Sequence, residues 1–312
     1  MWFKRAWMIG LVLPWLIFSM SGCSSVRFAY NQGSTAAYWW LDSHVDFSSE
    51  QSPRVRAALD EWFAWHRATQ LGDYAALLVS AGRQAADIVT PAQVCRFSRS
   101  VELRLTRAFE PAAAPMAEIV RSLSAAQLRH LEQHYAKGNA EWQRDHVQQV
   151  PAERQAAALK RWVERAESFY GTLDEAQRRL VAAGLASSPF DAQRGFEERR
   201  LRQQDILRTL RQLQADRADV PATEAALRAM ALHMVASPRA DYRALRERAG
   251  EAQCVLVAQL HNTTTAAQRA SALRQIKSWE NDLRALAGPV NASAAPATAP
   301  STATMAAASS AP

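Results

Sequence analysis

The sequence predicts an all-α protein, an array of roughly 8–10 antiparallel helices that follows a cleaved N-terminal signal. Alanine is abundant, with 62 residues, whereas glycine contributes only 11, and alanine is the strongest helix former. Apolar residues recur at helical spacing, and no segment shows a convincing period-two strand pattern. Hydrophobic residues make up 48% and charged residues 21% of the chain, which excludes a disordered chain and a polytopic membrane protein.

The first predicted helix begins near Pro53, with Ser52 as its cap, because proline suits a first helical turn. Its apolar residues are Val55, Leu59, Trp62, Phe63, Tyr74, Leu77, Leu78 and Ile88. The same periodicity predicts helices at about 91–121, 124–148, 152–169, 174–185, 191–216, 223–236, 239–261 and 265–287. Short breaks that contain proline separate several of them, and such short connections predict antiparallel neighbours.

One short string recurs at four predicted helix starts: Thr90–Gln93, Ser124–Gln127, Asp174–Gln177 and Thr265–Gln268. A capping oxygen followed three residues later by Gln is a capping box, in which each side chain binds the free backbone N–H of the other residue. The strings therefore predict four well-capped helices. An internal repeat is the alternative, although the uneven spacing does not fit a regular solenoid.

The N-terminus has the order of a secretory signal: basic Lys4 and Arg5, the apolar stretch Ala6–Phe18, and the small pair Ser21-Gly22. Its apolar stretch is too short to span a bilayer of about 30 Å as a helix. We therefore expect residues 1–22 to be a lipoprotein signal peptide. Residues 23–288 then form a helical periplasmic domain, with two sub-bundles as an option. Residues 289–312 hold almost only Ala, Pro, Ser and Thr and predict a disordered tail.

The string Met20-Ser21-Gly22-Cys23 resembles the bacterial lipobox, in which the cysteine is acylated and becomes the new N-terminus. Two or three acyl chains hold a protein firmly at a membrane. Ser24 and Ser25 follow Cys23, and the lack of Asp there implies sorting to the outer membrane. The expected location is the cell outer membrane, with the domain facing the periplasm. A compartment without nucleic acid also removes nucleic acid as a partner of this basic chain.

Cys95 and Cys254 are the two cysteines that remain after Cys23. In an oxidising compartment they are a candidate disulfide pair, which would enclose 158 residues and stabilise the domain by roughly 4–5 kcal/mol. Two separate buried thiols are the alternative, because free cysteine packs as a small hydrophobe.

Motifs for catalysis, metal binding or cofactor binding are weak. His130 and His134 lie four residues apart on one helical face, but the string does not match the metalloprotease pattern and offers no third ligand. A nucleophile elbow and a phosphate-binding glycine loop are missing from the sequence. We therefore expect a non-enzymatic protein without a metal or cofactor, and an unrecognised hydrolase is a weaker hypothesis.

The aromatic segment is the most unusual feature of the sequence. Trp62, Trp65 and His66 share one helical face, and Arg67 follows directly. This face is either a core seam between helices or a partner or ligand face, because Trp and Arg dominate binding hot spots. The Arg-rich helix near 194–217 offers a similar choice between a solvated charged face and contact with anionic lipid headgroups.

These residues resemble a family of uncharacterised bacterial outer-membrane lipoproteins built on a helical domain of unknown function. The strings that carry the resemblance are Cys23–Asn31, Tyr38–Asp42, Trp65–Arg67, Leu71–Ala75, Glu164–Glu167 and Gly171–Gln177. It implies a helical envelope lipoprotein without assigned catalytic residues.

Leu123–Gln127 and Leu173–Gln177 are also similar to the Leu-Thr-x-x-Gln motif of small periplasmic stress chaperones, although Ser and Asp replace the Thr. We therefore expect a lipid-anchored domain that binds an envelope protein partner. A holdase-like chaperone is the alternative.

Overall fold

A computed structural model describes residues 25–147 and 150–288 of the chain. In these ranges all regular structure is helical, which confirms the all-α prediction. The helices are α1 (Ser25–Asn31), α2 (Gly33–Val45), α3 (Gln51–Thr69), α4 (Leu71–Ala85), α5 (Pro91–Phe109), α6 (Ala113–Arg121), α7 (Ala125–His146), α8 (Pro151–Tyr170), α9 (Glu175–Ala186), α10 (Ala192–Ala215), α11 (Val220–Val235), α12 (Ala240–Asn262) and α13 (Ala266–Ala287).

Three predictions concern residues outside these ranges. The signal at 1–22, the acylation of Cys23 and the tail at 289–312 all lie outside the described residues. Among the described helices, none is both long enough and apolar enough to cross a membrane.

The helices are more numerous than predicted, in part for two local reasons. The predicted helix at 91–121 is divided by a 3₁₀ turn at Glu110–Ala112, because Pro111 has no N–H to continue the α-helical ladder. In addition, α1 and α2 lie in a stretch where no helix was predicted. Gly33, Ser34 and Thr35 have low helix propensity, so the sequence there does not indicate a helix. Packing stabilises it instead, since Tyr38 is only 5% exposed.

Long helices pack as antiparallel neighbours. α13 runs against α4, with the Arg67 guanidinium near the Leu286 carbonyl at one end and Arg269 near the Ala86 carbonyl at the other. α10 runs against α7 in the same way, as the Arg211–Glu132 ion pair and the stacked Trp142 and Phe196 rings show. The predicted antiparallel arrangement is therefore present in the described residues.

Two clusters of buried apolar side chains form the core. One lies among α8, α9, α12 and α13 and contains Val163, Ala166, Tyr170, Leu173, Val181, Leu260 and Ala272. The other lies between α7 and α10 and contains Leu128, Leu131, Leu207 and Leu210.

All four predicted capping boxes form at the starts of α5, α7, α9 and α13. The sequence did not single out a fifth reciprocal pair before α3, in which Ser48 and Gln51 exchange the same two bonds. Two pairs of boxes are joined across the fold. The Gln177 and Gln268 amides donate to each other's side-chain oxygens at 2.8 and 2.9 Å. The Gln51 and Gln127 amides pair in the same manner, at 3.4 and 2.6 Å.

The two joined pairs share one geometry. Each Gln amide also donates to the carbonyl that lies two residues before the partner's capping residue. Gln177 donates to Thr263 and Gln268 to Thr172, while Gln51 donates to Ser122 and Gln127 to Asp46. The starts of α9 and α13, and those of α3 and α7, are therefore held together by the same hydrogen-bond motif. Its recurrence favours a local structural repeat rather than four unrelated caps.

The structure joins Cys95 of α5 and Cys254 of α12 in a disulfide, with their Cα atoms 5.5 Å apart. The Asn262 side chain bonds the backbone of Val89 beside it, accepting from the N–H at 2.9 Å and donating to the carbonyl at 3.0 Å. These contacts fix α5 antiparallel to α12 at one end of the helix pair.

Candidate functional site

The predicted aromatic face of α3 surrounds a buried histidine. The His66 ring stacks on Trp62 with ring centres 4.6 Å apart, and Tyr74 of α4 meets it edge-on at 5.4 Å. Tyr30 of α1 bonds Nδ1 of His66 through its hydroxyl at 2.8 Å. His66 is only 9% exposed, and burial lowers the pKa of its imidazole below the usual 6.5. Residues from the three helices α1, α3 and α4 therefore enclose the ring, and its burial disfavours the protonated form.

Hydrogen bonds fix the neighbours of His66 to other parts of the fold. Trp62 donates from Nε1 to the Ala108 carbonyl of α5 at 2.8 Å. Arg67 donates to Asn31 Oδ1 of α1 at 2.9 Å, and its guanidinium lies 5.1 Å from the Tyr30 ring centre. Trp65 is half-buried beside them. The arrangement supports the core-seam interpretation of Trp62, Trp65, His66 and Arg67 over a partner or ligand face.

A shallow cleft of about 250 Å³ opens next to this seam between α1, α2 and α3. Arg67, Phe63 and Tyr30 line one part of it, and Ser34 and Asp60, which are hydrogen-bonded to each other, line another. Both charged side chains at the cleft already have partners. The Ser34–Asp60 pair has no histidine or lysine among the residues that line the cleft, so the cleft provides no argument for catalysis.

A second histidine cluster lies between α2 and α7. The His44 ring of α2 contacts the His134 ring at a tilt, with ring centres 3.8 Å apart, and His130 contacts the Ser43 carbonyl through Nε2 at 3.2 Å. His44 therefore joins the predicted pair from a distant part of the chain. Within the ranges that the structure describes, no group of three or more His, Cys, Asp or Glu side chains is arranged to hold a metal ion.

The Arg-rich helix α10 has its charges largely paired. Glu198 is only 3% exposed and accepts from Arg202 at 2.7 Å and from Arg239, directly before α12, at 3.3 Å. Arg239 also pairs with Asp205. Because a buried charge is tolerated only when it is paired and hydrogen-bonded, this network is structural. It favours the charged-face interpretation of α10 over contact with lipid headgroups.

The lowered pKa values of four histidines predict how the stability of the fold depends on pH. Burial is the main cause that lowers the pKa of His66, His134, His146 and His261 below the usual 6.5. Between the folded-state pKa and 6.5, the unfolded chain binds more protons than the folded chain, so the free energy of unfolding rises with pH there. We expect denaturant unfolding to occur at lower denaturant concentration near pH ~5.5 than near pH ~7.5, an interval above the carboxylate range.

The matched control for this pH dependence is the His66→Gln variant. It removes one of the contributing imidazoles and keeps a polar side chain of similar length. Its stability should fall less over the same pH interval than that of the unmodified chain. Equal stability of the unmodified chain at both pH values would contradict the prediction.

α5 presents a basic stripe to solvent. Arg96, Arg99, Leu103 and Arg107 recur at intervals of three and four residues, so they lie on one helical face, and all four are exposed. Leu103 is 50% exposed, and the only acidic residue of α5 is Glu102. Across the part of the chain that the structure describes, these three guanidinium groups make no ion pair. We call these four residues the α5 stripe.

The exposed face of α1 and α2 has the opposite character. Phe28, Trp39 and Trp40 are 62%, 59% and 62% exposed, which is high for aromatic side chains. Trp39 and Trp40 belong to the string Tyr38–Asp42 that carries the family resemblance, and the sequence alone does not separate them from Tyr38, which is buried. Two surfaces of different chemistry, one basic and one aromatic, therefore stand out on this fold.

The fold and these surfaces define an all-α protein whose polar motifs serve capping and packing. Comparison with known families identifies the family of the chain. The chain belongs to a family of unknown function, DUF6279, whose sequence profile matches residues 43–243. The match begins at the end of α2 and ends in the first turn of α12. Searches of curated proteins and of solved structures found no match.

Proposed function

We propose that the chain is a non-enzymatic lipoprotein of the bacterial outer membrane. Its helical domain, held in the periplasm by acylated Cys23, binds an acidic segment of an envelope protein. Support for the anchor comes from the basic, apolar and small-residue order of positions 4–22. α1 begins at Ser25, two residues after Cys23, so little chain separates the fold from the proposed lipid.

The α5 stripe is the observation that carries the proposed partner. Exposed guanidinium groups that make no ion pair within the described residues are available to carboxylates of another protein, with which Arg forms strong two-point hydrogen bonds. Leu103 stands between Arg99 and Arg107 and supplies an apolar contact at the centre of the stripe. Interfaces combine an apolar centre with a polar rim in this way. The disulfide holds α5 on α12, so the stripe is presented on a fixed helix.

In-cell photo-crosslinking tests this proposal. A photoreactive residue replaces Leu103, with the lipid intact and the protein at its native level, and we expect one abundant adduct. The same residue at exposed Ala140 of α7 is the matched control and should give none. Reversing two charges with Arg99→Glu and Arg107→Glu should reduce the adduct by roughly tenfold, because like charges then face each other.

The outcomes separate the proposal from its alternatives. An absent adduct at position 103, or an adduct that survives both charge reversals, overturns the α5 partner surface. Many unrelated adducts would favour the holdase-like chaperone. The Gln residues of the chaperone-like strings do not themselves support that alternative, because they are occupied in caps, as the 2% exposure of Gln177 illustrates.

A further inference from the structure

The exposed residues of α1 and α2 are all uncharged. In the fully described stretch Ser25–Val45, the exposed residues are Ser25, Phe28, Ala29, Asn31, Gln32, Thr35, Ala36, Trp39, Trp40 and Ser43. The two charged side chains of this stretch have partners within the fold: Arg27, whose side chain is 39% exposed, pairs with Asp282 at 3.2 Å, and Asp42 accepts the Phe47 N–H at 3.0 Å. Such a surface is unusual on a protein in which charged residues make up 21% of the chain.

α1 and α2 form one nearly continuous rod. The helical ladder passes through Gln32, since the Gln32 N–H donates to the Phe28 carbonyl at 3.2 Å and the Ala36 N–H to the Gln32 carbonyl at 2.9 Å. Phe28 and Trp39 are eleven residues apart, which is about three turns, so they lie on the same side of the rod some ~17 Å from each other. Trp40 lies next to Trp39. The large aromatic side chains therefore line a long flat face rather than a pocket.

We infer that this face rests on the phospholipid bilayer that carries the anchor. This inference deepens the proposed function and rests on the acylation of Cys23 proposed there. Cys23 is two residues before α1, and two extended residues span at most about 7 Å, so the start of the rod is held close to the headgroups. A charge-free helical face with aromatic residues is suited to lie in the membrane–water interface, where Trp is enriched.

The surroundings of Trp39 fit a position among lipid headgroups. The Arg56 guanidinium of α3 lies 3.4 Å from the Tyr38 ring centre and 5.3 Å from that of Trp39. With the indole at interface depth, this cation meets the phosphate layer, where Arg binds well. The Trp40 ring contacts the His44 ring at a tilt, with ring centres 4.3 Å apart, so each indole has a neighbouring side chain that supports it. The rod therefore needs little reordering to contact a membrane.

Depth-dependent fluorescence quenching tests the inference on the acylated full chain in phosphatidylethanolamine and phosphatidylglycerol vesicles. Brominated lipids with the bromine near the headgroup should quench part of the tryptophan emission. The Trp39→Phe/Trp40→Phe variant should lose most of that quenching. The Trp279→Phe variant removes an indole of α13 that is 37% exposed and should keep it. Unchanged quenching after removal of Trp39 and Trp40 overturns the inference.

A charge placed on the face gives a second readout with both indoles present. Thr35→Glu with Ala36→Glu should reduce the quenching at least twofold, whereas Ala140→Glu on α7 should leave it unchanged. Equal quenching in all three proteins overturns the inference. The inference is also overturned if a second copy or the chain's own tail covers the face and so prevents the quenching.

Intact mass measures acylation of Cys23 separately from quenching. An unmodified mass contradicts the proposed anchor itself. An acylated chain whose Trp39 and Trp40 stay unquenched contradicts only the bilayer contact. Failure of the proposed function and failure of this inference therefore give different results.

Discussion

Replacing Gln177 with alanine is expected to lower the free energy of unfolding by about 3 kcal/mol. The Gln177 amide is 2% exposed and donates to the Thr263 carbonyl at 3.1 Å and to Gln268 Oε1 at 2.8 Å. Its oxygen accepts the Asp174 N–H at 3.0 Å. Alanine removes all of these bonds at once, and each such bond typically contributes about 1 kcal/mol to stability. Chemical denaturation followed by circular dichroism measures the effect.

The chain supplies a matched control in Gln93. This residue forms the same capping box with Thr90 but is half-buried and has no partner Gln. Gln93→Ala should therefore cost only about 1 kcal/mol, the usual contribution of a cap. In a double-mutant cycle, Gln177→Ala and Gln268→Ala should be coupled by about 1–2 kcal/mol. Equal losses at positions 93 and 177, or additive effects in the cycle, would show that the amide pairing contributes nothing beyond capping.

Local sequence signals predicted this part of the fold well. The string from a capping residue to Gln three positions later is a property of one helix start, so Ser124–Gln127 and Asp174–Gln177 could be recognised without knowing the fold. The pairing of the boxes could not be predicted, because it depends on which helix starts meet in space. The pair before α3 was missed for a simpler reason. Gln51 was treated as part of the segment before Pro53, so Ser48 was not considered as a cap.

The surfaces were harder to predict than the helices. Trp62 and Trp39 have the same side chain, and only the fold decides that Trp62 reaches the Ala108 carbonyl while Trp39 is 59% exposed. The periodicity of α3 correctly placed Trp62, Trp65 and His66 on one face. It could not tell a core face from a binding face, because both are apolar and aromatic. The contact of His44 with the His130–His134 pair could not be predicted either, because these residues are distant in the sequence and only the fold brings them together.

Removing the Cys95–Cys254 disulfide should lower the free energy of unfolding by about 5 kcal/mol. The bond joins residues 159 positions apart, so the unfolded chain without it gains the conformational freedom of a very long loop. A typical domain has a total stability of about 5–15 kcal/mol, so this is the largest single effect expected here. Guanidinium denaturation of the Cys95→Ala/Cys254→Ala variant, compared with the oxidised chain, measures it.

A further comparison distinguishes the loss of the cross-link from a loss of packing around the two cysteines. Since the disulfide acts mainly on the unfolded state, reduction of the unmodified chain should destabilise it about as much as the double substitution, and a reductant should leave the variant unchanged. A loss well below ~1 kcal/mol in both cases would contradict the prediction. Hydrogen exchange adds a local test, because α5 is also held by the Asn262 side chain at the Val89 backbone. Protection of α5 should then fall no more than that of the distant helix α7, and the α5 stripe should keep its place on the surface.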